Sequence, residues 1–422
     1  MKNLALVFPG QGSQYVGMGK GLFEKSNIAK RVFEEASDSI GIDIKKMCFE
    51  GSLEELSRTE NTQPAILTLS VAAFRTYMEK FGEIPAFSVG HSLGEISALT
   101  CAGAIEFLDA VKIVRQRGKF MQESSAVGTG CMYAISEIDI NYIAEECRKN
   151  CIADLIVGIS NYNSPQQTVI SGHRIAVERV VEQLSLKGAT TIGLKVSAPF
   201  HSSLMQPASI KLKEELLKYS FNKFNWPVIS NVTALPYSTP EEIIENLTKQ
   251  MVSPVMWQTS VEFLKNIGVT MAVELGPKKV LKNLVQSCTK EITVYSYDDD
   301  NDIELLKSFF LNNLAKAGPG FKSTVITKCI TTAICTKNRN WDNEAYNKGV
   351  VEPYKKVKKL QADLEKEGKD PTLEQMQEAL YMLKSVFVTK KVGIDEQVER
   401  FNQIFDTAEI HHLFPNFIKS LG

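Results

Sequence analysis

Residues 3 to 8 (NLALVF) form a short apolar run that stops at Pro9-Gly10-Gln11-Gly12. A run without polar alternation predicts a strand covered on both faces and leading into a turn, as in a parallel sheet. A second run, residues 85 to 90 (PAFSVG), also ends in a glycine-rich turn. Between them, Ile66 to Phe81 repeats its apolar positions at helical spacing. Strands alternating with helices predict an α/β chain with a parallel sheet between helical layers.

From about Gly128 to Leu194 the pattern changes. CMYAIS, a helical stretch from Ile138 to Asn150, LIVGISNYN, QQTVISG, a helix from Arg174 to Lys187 and TTIGLKVS follow in turn. That strand, helix, strand, strand, helix, strand order predicts a small ferredoxin-like unit inserted in the larger domain. VISNVT and MAVELG then read as two further short strands of the main domain. After Gly318-Pro319-Gly320 the spacing turns helical, through Val351, Tyr354, Val357, Leu360 and Leu364, then Leu373, Met376, Leu380, Leu383 and Phe387. Asp370-Pro371-Thr372 with Gln375 marks a helix start, with either Asp370 capping or Thr372 and Gln375 forming a capping box. The expected organisation is a discontinuous core at residues 1–127 and 198–316, an insertion at 128–197 and a mainly helical extension at 317–422. Lys355, Lys356, Lys358 and Lys359 lie opposite the apolar stripe of their helix and read as a solvated face.

A length of 422 residues exceeds what one hydrophobic core usually serves, which agrees with several units. A net charge of −1 gives no basic field, so nucleic acid is not an expected partner. The opening apolar run is too short for a signal peptide, and no stretch is long enough to span a membrane. Eight scattered cysteines, without a CxxC pair or a histidine at ligand spacing, read as reduced thiols of a cytoplasmic protein with no metal site and no cofactor.

The chemistry begins at Gly90-His91-Ser92-Leu93-Gly94, a G-x-S-x-G sequence after a strand and before a helix-forming stretch. A nucleophile elbow needs small residues beside its serine, because the turn that lifts the hydroxyl above the sheet is sharp. Serine then needs a base. Of the five histidines, His91 adjoins Ser92 and would point elsewhere, His173 lies in the insertion, and His411 and His412 lie in the extension. His201, in SAPFHSSLM, is left by elimination. No carboxylate near it in sequence offers to orient it; Glu241, Glu242 and Glu274 would serve only if the fold brought them round, and a neutral group is the alternative. The turn at residues 9 to 14 offers backbone N–H groups that could complete an oxyanion hole with that of Leu93. Arg115 and Arg117 lie on a helix expected over Leu108–Met121, either as carboxylate anchors or as a solvated face.

Together these motifs resemble malonyl-CoA:acyl-carrier-protein transacylases and the acyltransferase domains of polyketide and fatty-acid synthases. The likeness covers roughly residues 1 to 315 and rests on ordered motifs: GQGSQ at 10–14, GHSLGE at 90–95, RGKFMQ at 117–122, NYNSPQQTVISG at 161–172, APFHS at 198–202, NVT at 231–233 and QMVSPVMW at 250–257. The resemblance implies an α/β-hydrolase-like core. It also implies Ser92 as nucleophile, His201 as general base and Gln250 as the neutral group orienting it. The backbones of Gln11 and Leu93 would form the oxyanion hole, and Arg117, Phe200 and His91 would bind substrate, with Arg117 pairing the malonyl carboxylate. Leu93 and Phe200 fit the pattern that accompanies malonyl selectivity. The implied partners are malonyl-CoA and an acyl carrier protein or the carrier domains of a polyketide synthase. The implied activity is ping-pong malonyl transfer, and the competing one is hydrolysis of misplaced acyl groups on carriers. In the extension, KCITTAICTKNRNW and GVVEPYKKVKKL are similar to tails of acyltransferases that serve polyketide assembly lines in trans.

Overall fold

A computed structural model describes residues 3–124, 130–196, 198–316, 325–340, 342–408 and 410–421. Gly128, Ser197 and the Gly318-Pro319-Gly320 break lie outside the described residues. The strands are β1 (Leu4–Phe8), β2 (Phe87–Gly90), β3 (Gly130–Ser136), β4 (Val157–Ser164), β5 (Gln167–His173), β6 (Thr190–Gly193), β7 (Val228–Ile229), β8 (Met271–Glu274) and β9 (Thr293–Ser296). The chain divides into two compact units, Met1–Phe74 with Pro85–Ile303 and Arg75–Ile84 with Glu304–Gly422.

In the first unit, β7-β2-β1-β8-β9 form a parallel sheet in that order. β1 sits at its centre with all five residues buried, as its unbroken apolar run requires. Ala5 and Val7 pack with Val89, Ile229, Trp257, Val261 and Val294 into one core. A second sheet of the same unit has the order β4-β5-β3-β6 with antiparallel pairing throughout. Ile135 and Ile170 of that sheet pack with Ile143, Val177, Val180 and Leu184 of the helices Ile140–Asn150 and Arg174–Leu186.

The strands fall where the apolar runs lie, with three differences. TTIGLKVS is a strand only to Gly193, and VISNVT pairs only over Val228–Ile229. The latter ends because the chain turns back, Ala234 N–H donating to Ser230 O with Ala234 at a positive φ of 55°. β9 was not anticipated: TVYS is four residues with an exposed Thr293, too short to carry a pattern of its own.

The second unit is helical and has its own core, in which Ile326, Cys329 and Ile330 pack with Leu380, Leu383, Phe387, Phe401 and Phe405. Thr372 caps the helix Leu373–Thr389 through a capping box with Gln375, deciding between the two starts open in the sequence. Lys355, Lys356 and Lys359 are exposed on the helix Glu352–Glu367, while Val357 is buried. Buried Lys390 donates to the carbonyls of Ala333 (3.0 Å) and Thr336 (2.8 Å), capping the C-terminal end of the helix Val325–Cys335 with a positive charge. No helix among the described residues is long and apolar enough to cross a membrane.

Candidate active site

The site begins at the end of β2. Ser92 stands between this strand and the helix Leu93–Cys101 with φ 53° and ψ −106°, a strained backbone for a residue with a side chain. The strain is held by close packing on either side. A Cβ on Gly90 would meet the Gly94 carbonyl carbon at 1.8 Å, and one on Gly94 would meet Phe8 O at 1.9 Å. Glycine is required at both places by the crossing of backbone on backbone, and the serine hydroxyl is thereby set at the sheet's carboxyl edge.

Ser92 Oγ lies 2.8 Å from His201 Nε2, although 109 residues separate them. His201 Nδ1 lies 2.8 Å from the main-chain carbonyl of Gln250. A carbonyl only accepts, so Nδ1 carries the proton, and Nε2 is left to accept the one from Ser92. Burial, followed by the nearby Arg117 charge, lowers the His201 pKa to about 3. The imidazole is therefore neutral at working pH.

None of the carboxylates considered for orienting His201 does so. Glu274 accepts the N–H groups of Leu281 (2.9 Å) and Lys282 (2.8 Å) at a helix start, Glu242 accepts that of Ser238 (3.0 Å), and Glu241 is exposed. The neutral partner is Gln250, acting through its backbone.

The Gln250 side chain faces the other way. Its Oε1 accepts from Arg117 Nη2 at 2.8 Å, and its Nε2 donates to Glu95 Oε2 at 2.6 Å and to Ser92 O at 3.0 Å. Arg117 is almost fully buried; it donates through Nη1 to Gln63 Oε1 (2.9 Å) and through Nη2 to Ser92 Oγ (3.1 Å). Its Nε has no hydrogen-bond partner among the described residues. Burial brings its pKa down to about 10, against the pull of Glu95. Arg115, by contrast, is spent on structure, bonding the Glu60 carbonyl at 2.8 Å and pairing with the Glu60 carboxylate at 3.3 Å.

Two residues that carried no role in the sequence reading complete the cluster. Asn231 accepts the Ser92 N–H at 2.7 Å and donates to Gly90 O at 2.6 Å, bracing the strained turn. Glu95, fully buried, accepts from Asn231 N (3.1 Å), from Gln250 Nε2 and from the Tyr237 hydroxyl. Burial raises its pKa to about 7 despite these donors and Arg117. Both lie inside quoted motifs, GHSLGE and NVT, and a polar residue three positions after the nucleophile was the available signal for Glu95.

A cavity of about 500 Å³ opens over Ser92 and His201. Gln11, His91, Arg117 and Phe200 also line it, together with Asn161, Asn163 and Gln167 from the antiparallel sheet. His91 does not point elsewhere, as its place in sequence suggested: it faces this same cavity, its Nε2 2.9 Å from Asn163 Oδ1 and its ring against Trp257. The Leu93 side chain is fully buried and is not among the cavity-lining residues. As first residue of its helix, Leu93 has an N–H with no partner within the helix. The cavity thus combines a serine hydroxyl in contact with a neutral imidazole, a buried guanidinium at the same oxygen and apolar walls such as Met132, Val169 and Leu284.

The acyl transferase domain family matches residues 5–310. A Bacillus subtilis protein named malonyl CoA-acyl carrier protein transacylase is 40% identical over 398 residues, covering 94% of this chain and 99% of its own. A protein of the same name from Escherichia coli K12 is 42% identical over 300 residues, 71% of this chain and 97% of its own. Among solved structures, a type II PKS acyl-carrier protein in complex with its malonyl-transacylase is similar, with TM-score 0.70 and 40% identity over 72% of this chain and 99% of that one. With that match running from β1 to beyond β9, and with the Ser92 turn, His201 and Gln250 inside it, the chain belongs to the acyl transferase domain family.

Proposed function

We propose that the protein transfers a malonyl group from coenzyme A to the phosphopantetheine thiol of an acyl carrier protein through a malonyl ester on Ser92. The observation that carries this reading is Arg117 Nη2 at 3.1 Å from Ser92 Oγ, a buried cation positioned where an acyl group on that oxygen would present a carboxylate. Ser92 Oγ attacks the thioester carbon as its proton passes to His201 Nε2. The oxyanion is held by the N–H groups of Gln11 and Leu93, the C–S bond breaks, and the coenzyme A thiolate takes the proton back from His201. The carrier thiol then repeats the attack with its proton following the same route. Phe200 and His91 flank the acyl group in this scheme. Relatives carrying the transacylase name support the reading, as does the complex of such an enzyme with a carrier protein.

The core reads as α/β-hydrolase-like, supported by the parallel sheet and the strand–Ser92–helix turn. Residues 128–197 read as a ferredoxin-like insertion, supported by the strand order β4-β5-β3-β6 with two helices on one face. Residues 317–422 read as an extension of an acyltransferase working in trans for polyketide carriers, supported by a B. subtilis relative whose match covers 94% of this chain. Eight free thiols favour a reducing, cytoplasmic setting.

The test is to mix the protein with malonyl-CoA, digest it and look for a malonyl ester on Ser92 by mass spectrometry, then add a phosphopantetheinylated carrier and follow the label. Transfer to the carrier is the expected result. Absence of the ester, or release of free malonate in place of transfer, would overturn it.

A further inference from the structure

We propose that Glu95 is a positioning residue for malonyl transfer: buried behind the Ser92 turn, it gives the Gln250 amide its charged acceptor and so steadies the Arg117 guanidinium at the acyl site. The inference rests on the malonyl-transfer reading above.

An amide side chain presents an oxygen and a nitrogen of nearly equal shape, and its neighbours decide which faces where. Gln250 sits between Arg117, which only donates, and Glu95 Oε2, which already accepts the Asn231 N–H and so stands as an acceptor. These two neighbours, together with Ser92 O, which also accepts from Nε2 at 3.0 Å, leave one arrangement, with Oε1 toward Arg117 at 2.8 Å and Nε2 toward Glu95 at 2.6 Å. Turned over, the amide would set N–H against N–H on one side and oxygen against oxygen on the other. Glu95 is itself held from outside by Tyr237 and by the backbone N–H of Asn231, so the orientation is imposed from the protein interior. Arg117 has no direct hydrogen bond to Glu95 among the described residues, and reaches it through Gln250. An oriented Gln250 thus shares with Gln63 the holding of the guanidinium, and it is the one bonded to Nη2, the nitrogen 3.1 Å from Ser92 Oγ.

Glu95→Gln keeps the shape and removes the charge, so Gln250 Nε2 loses its charged acceptor and is tied only by Ser92 O at 3.0 Å and Asn231 Oδ1 at 3.3 Å. Two reactions are compared: malonyl transfer to a carrier, which needs the guanidinium, and acetyl release from p-nitrophenyl acetate, which has no carboxylate and reports Ser92 and His201. Loss of one charged hydrogen bond corresponds to about 10-fold or more. The ratio of malonyl to neutral-ester kcat/KM is therefore expected to fall at least about 10-fold in Glu95→Gln, with a rise in malonyl-CoA KM. Equal loss of both reactions, or loss of neither, would overturn the positioning role. Should Glu95→Gln fail to fold, Glu95→Asp is measured instead: its shorter carboxylate loosens the tie to Gln250, and the same ratio is expected to fall about threefold. An unchanged ratio there overturns the role equally. If the unmodified protein esterifies Ser92 with malonyl but the variants keep its ratio, only this inference falls; if the unmodified protein transfers no malonyl, the reading beneath it falls.

Discussion

His201 Nδ1 meets the main-chain carbonyl of Gln250 at 2.8 Å, while the side chain of that same Gln250 turns to Arg117. One residue therefore fixes the tautomer of the base with its backbone and the place of the guanidinium with its amide. Substitution at Gln250 removes the second function and leaves the first. Gln250→Ala is expected to reduce malonyl transfer by about 10- to 100-fold, as expected for charged hydrogen bonds, while largely sparing turnover of a neutral ester. Parallel kinetics with malonyl-CoA and p-nitrophenyl acetate check this.

Burial holds the His201 pKa near 3, below the ordinary value of 6.5. In the proposed mechanism neutral imidazole is the reactive form, so His201 would stay competent as pH falls through 6.5, with protonation beginning only near 3. For folding, the unfolded chain binds this proton between about pH 6.5 and 3 while the native one does not, so His201 removes stability as the pH drops through that window. Imidazole 15N–1H spectra, assigned against His201→Ala, are expected to show a neutral Nδ1–H ring from about pH 8 down to about pH 5. A ring that charges near 6.5 would contradict the burial argument.

Gly94→Ala places a Cβ 1.9 Å from Phe8 O, a backbone atom of the central strand that cannot give way. The expected cost is about 3 kcal/mol with loss of Ser92 acylation, read by denaturant unfolding and by mass spectrometry of the malonyl ester.

In the helical unit, Thr372→Ala removes the hydroxyl that accepts the Gln375 N–H and leaves the other half of the capping box on Leu373–Thr389, the backbone N–H of residue 372 to Gln375 Oε1. A cost of about 1 kcal/mol is expected, confined to that unit. Hydrogen exchange should speed up along this helix while β1 keeps its protection.

The Ser92 turn was legible because it compels its own spelling: the 1.8 Å and 1.9 Å approaches at Gly90 and Gly94 admit nothing larger than glycine. Runs of buried residues such as β1 were legible for a similar reason, since burial on both faces leaves no polar position. His201 emerged from a short roster of five histidines. What stayed hidden works through contacts spanning more than a hundred residues. Glu95 meets Gln250 across 155 positions, and Asn231 meets the Ser92 N–H across 139. The Nδ1 partner of His201 is a carbonyl, which every residue carries, so only the resemblance pointed to Gln250 and nothing in the residues themselves did. Elimination had His91 pointing elsewhere while the resemblance put it beside the substrate; it lines the cavity, because adjacency to Ser92 says nothing of direction once the Ser92 backbone takes a positive φ.

Arg117→Ala is expected to lower malonyl kcat/KM by about 10- to 100-fold and to raise the relative rate with acetyl-CoA, measured as competition between the two donors.

The unpartnered Nε–H of Arg117 bears on the protein's endurance as well as its choice of substrate. A buried donor left unsatisfied costs about 1 to 3 kcal/mol, and a buried charge more. The resting enzyme accepts that cost in order to keep a binding group dry and aimed. Replacing the guanidinium alone would strand Gln63 Oε1 and Gln250 Oε1 and leave buried Glu95 without its nearby cation, so Arg117→Met is expected to melt at a lower temperature than the natural chain while also losing its preference among acyl groups.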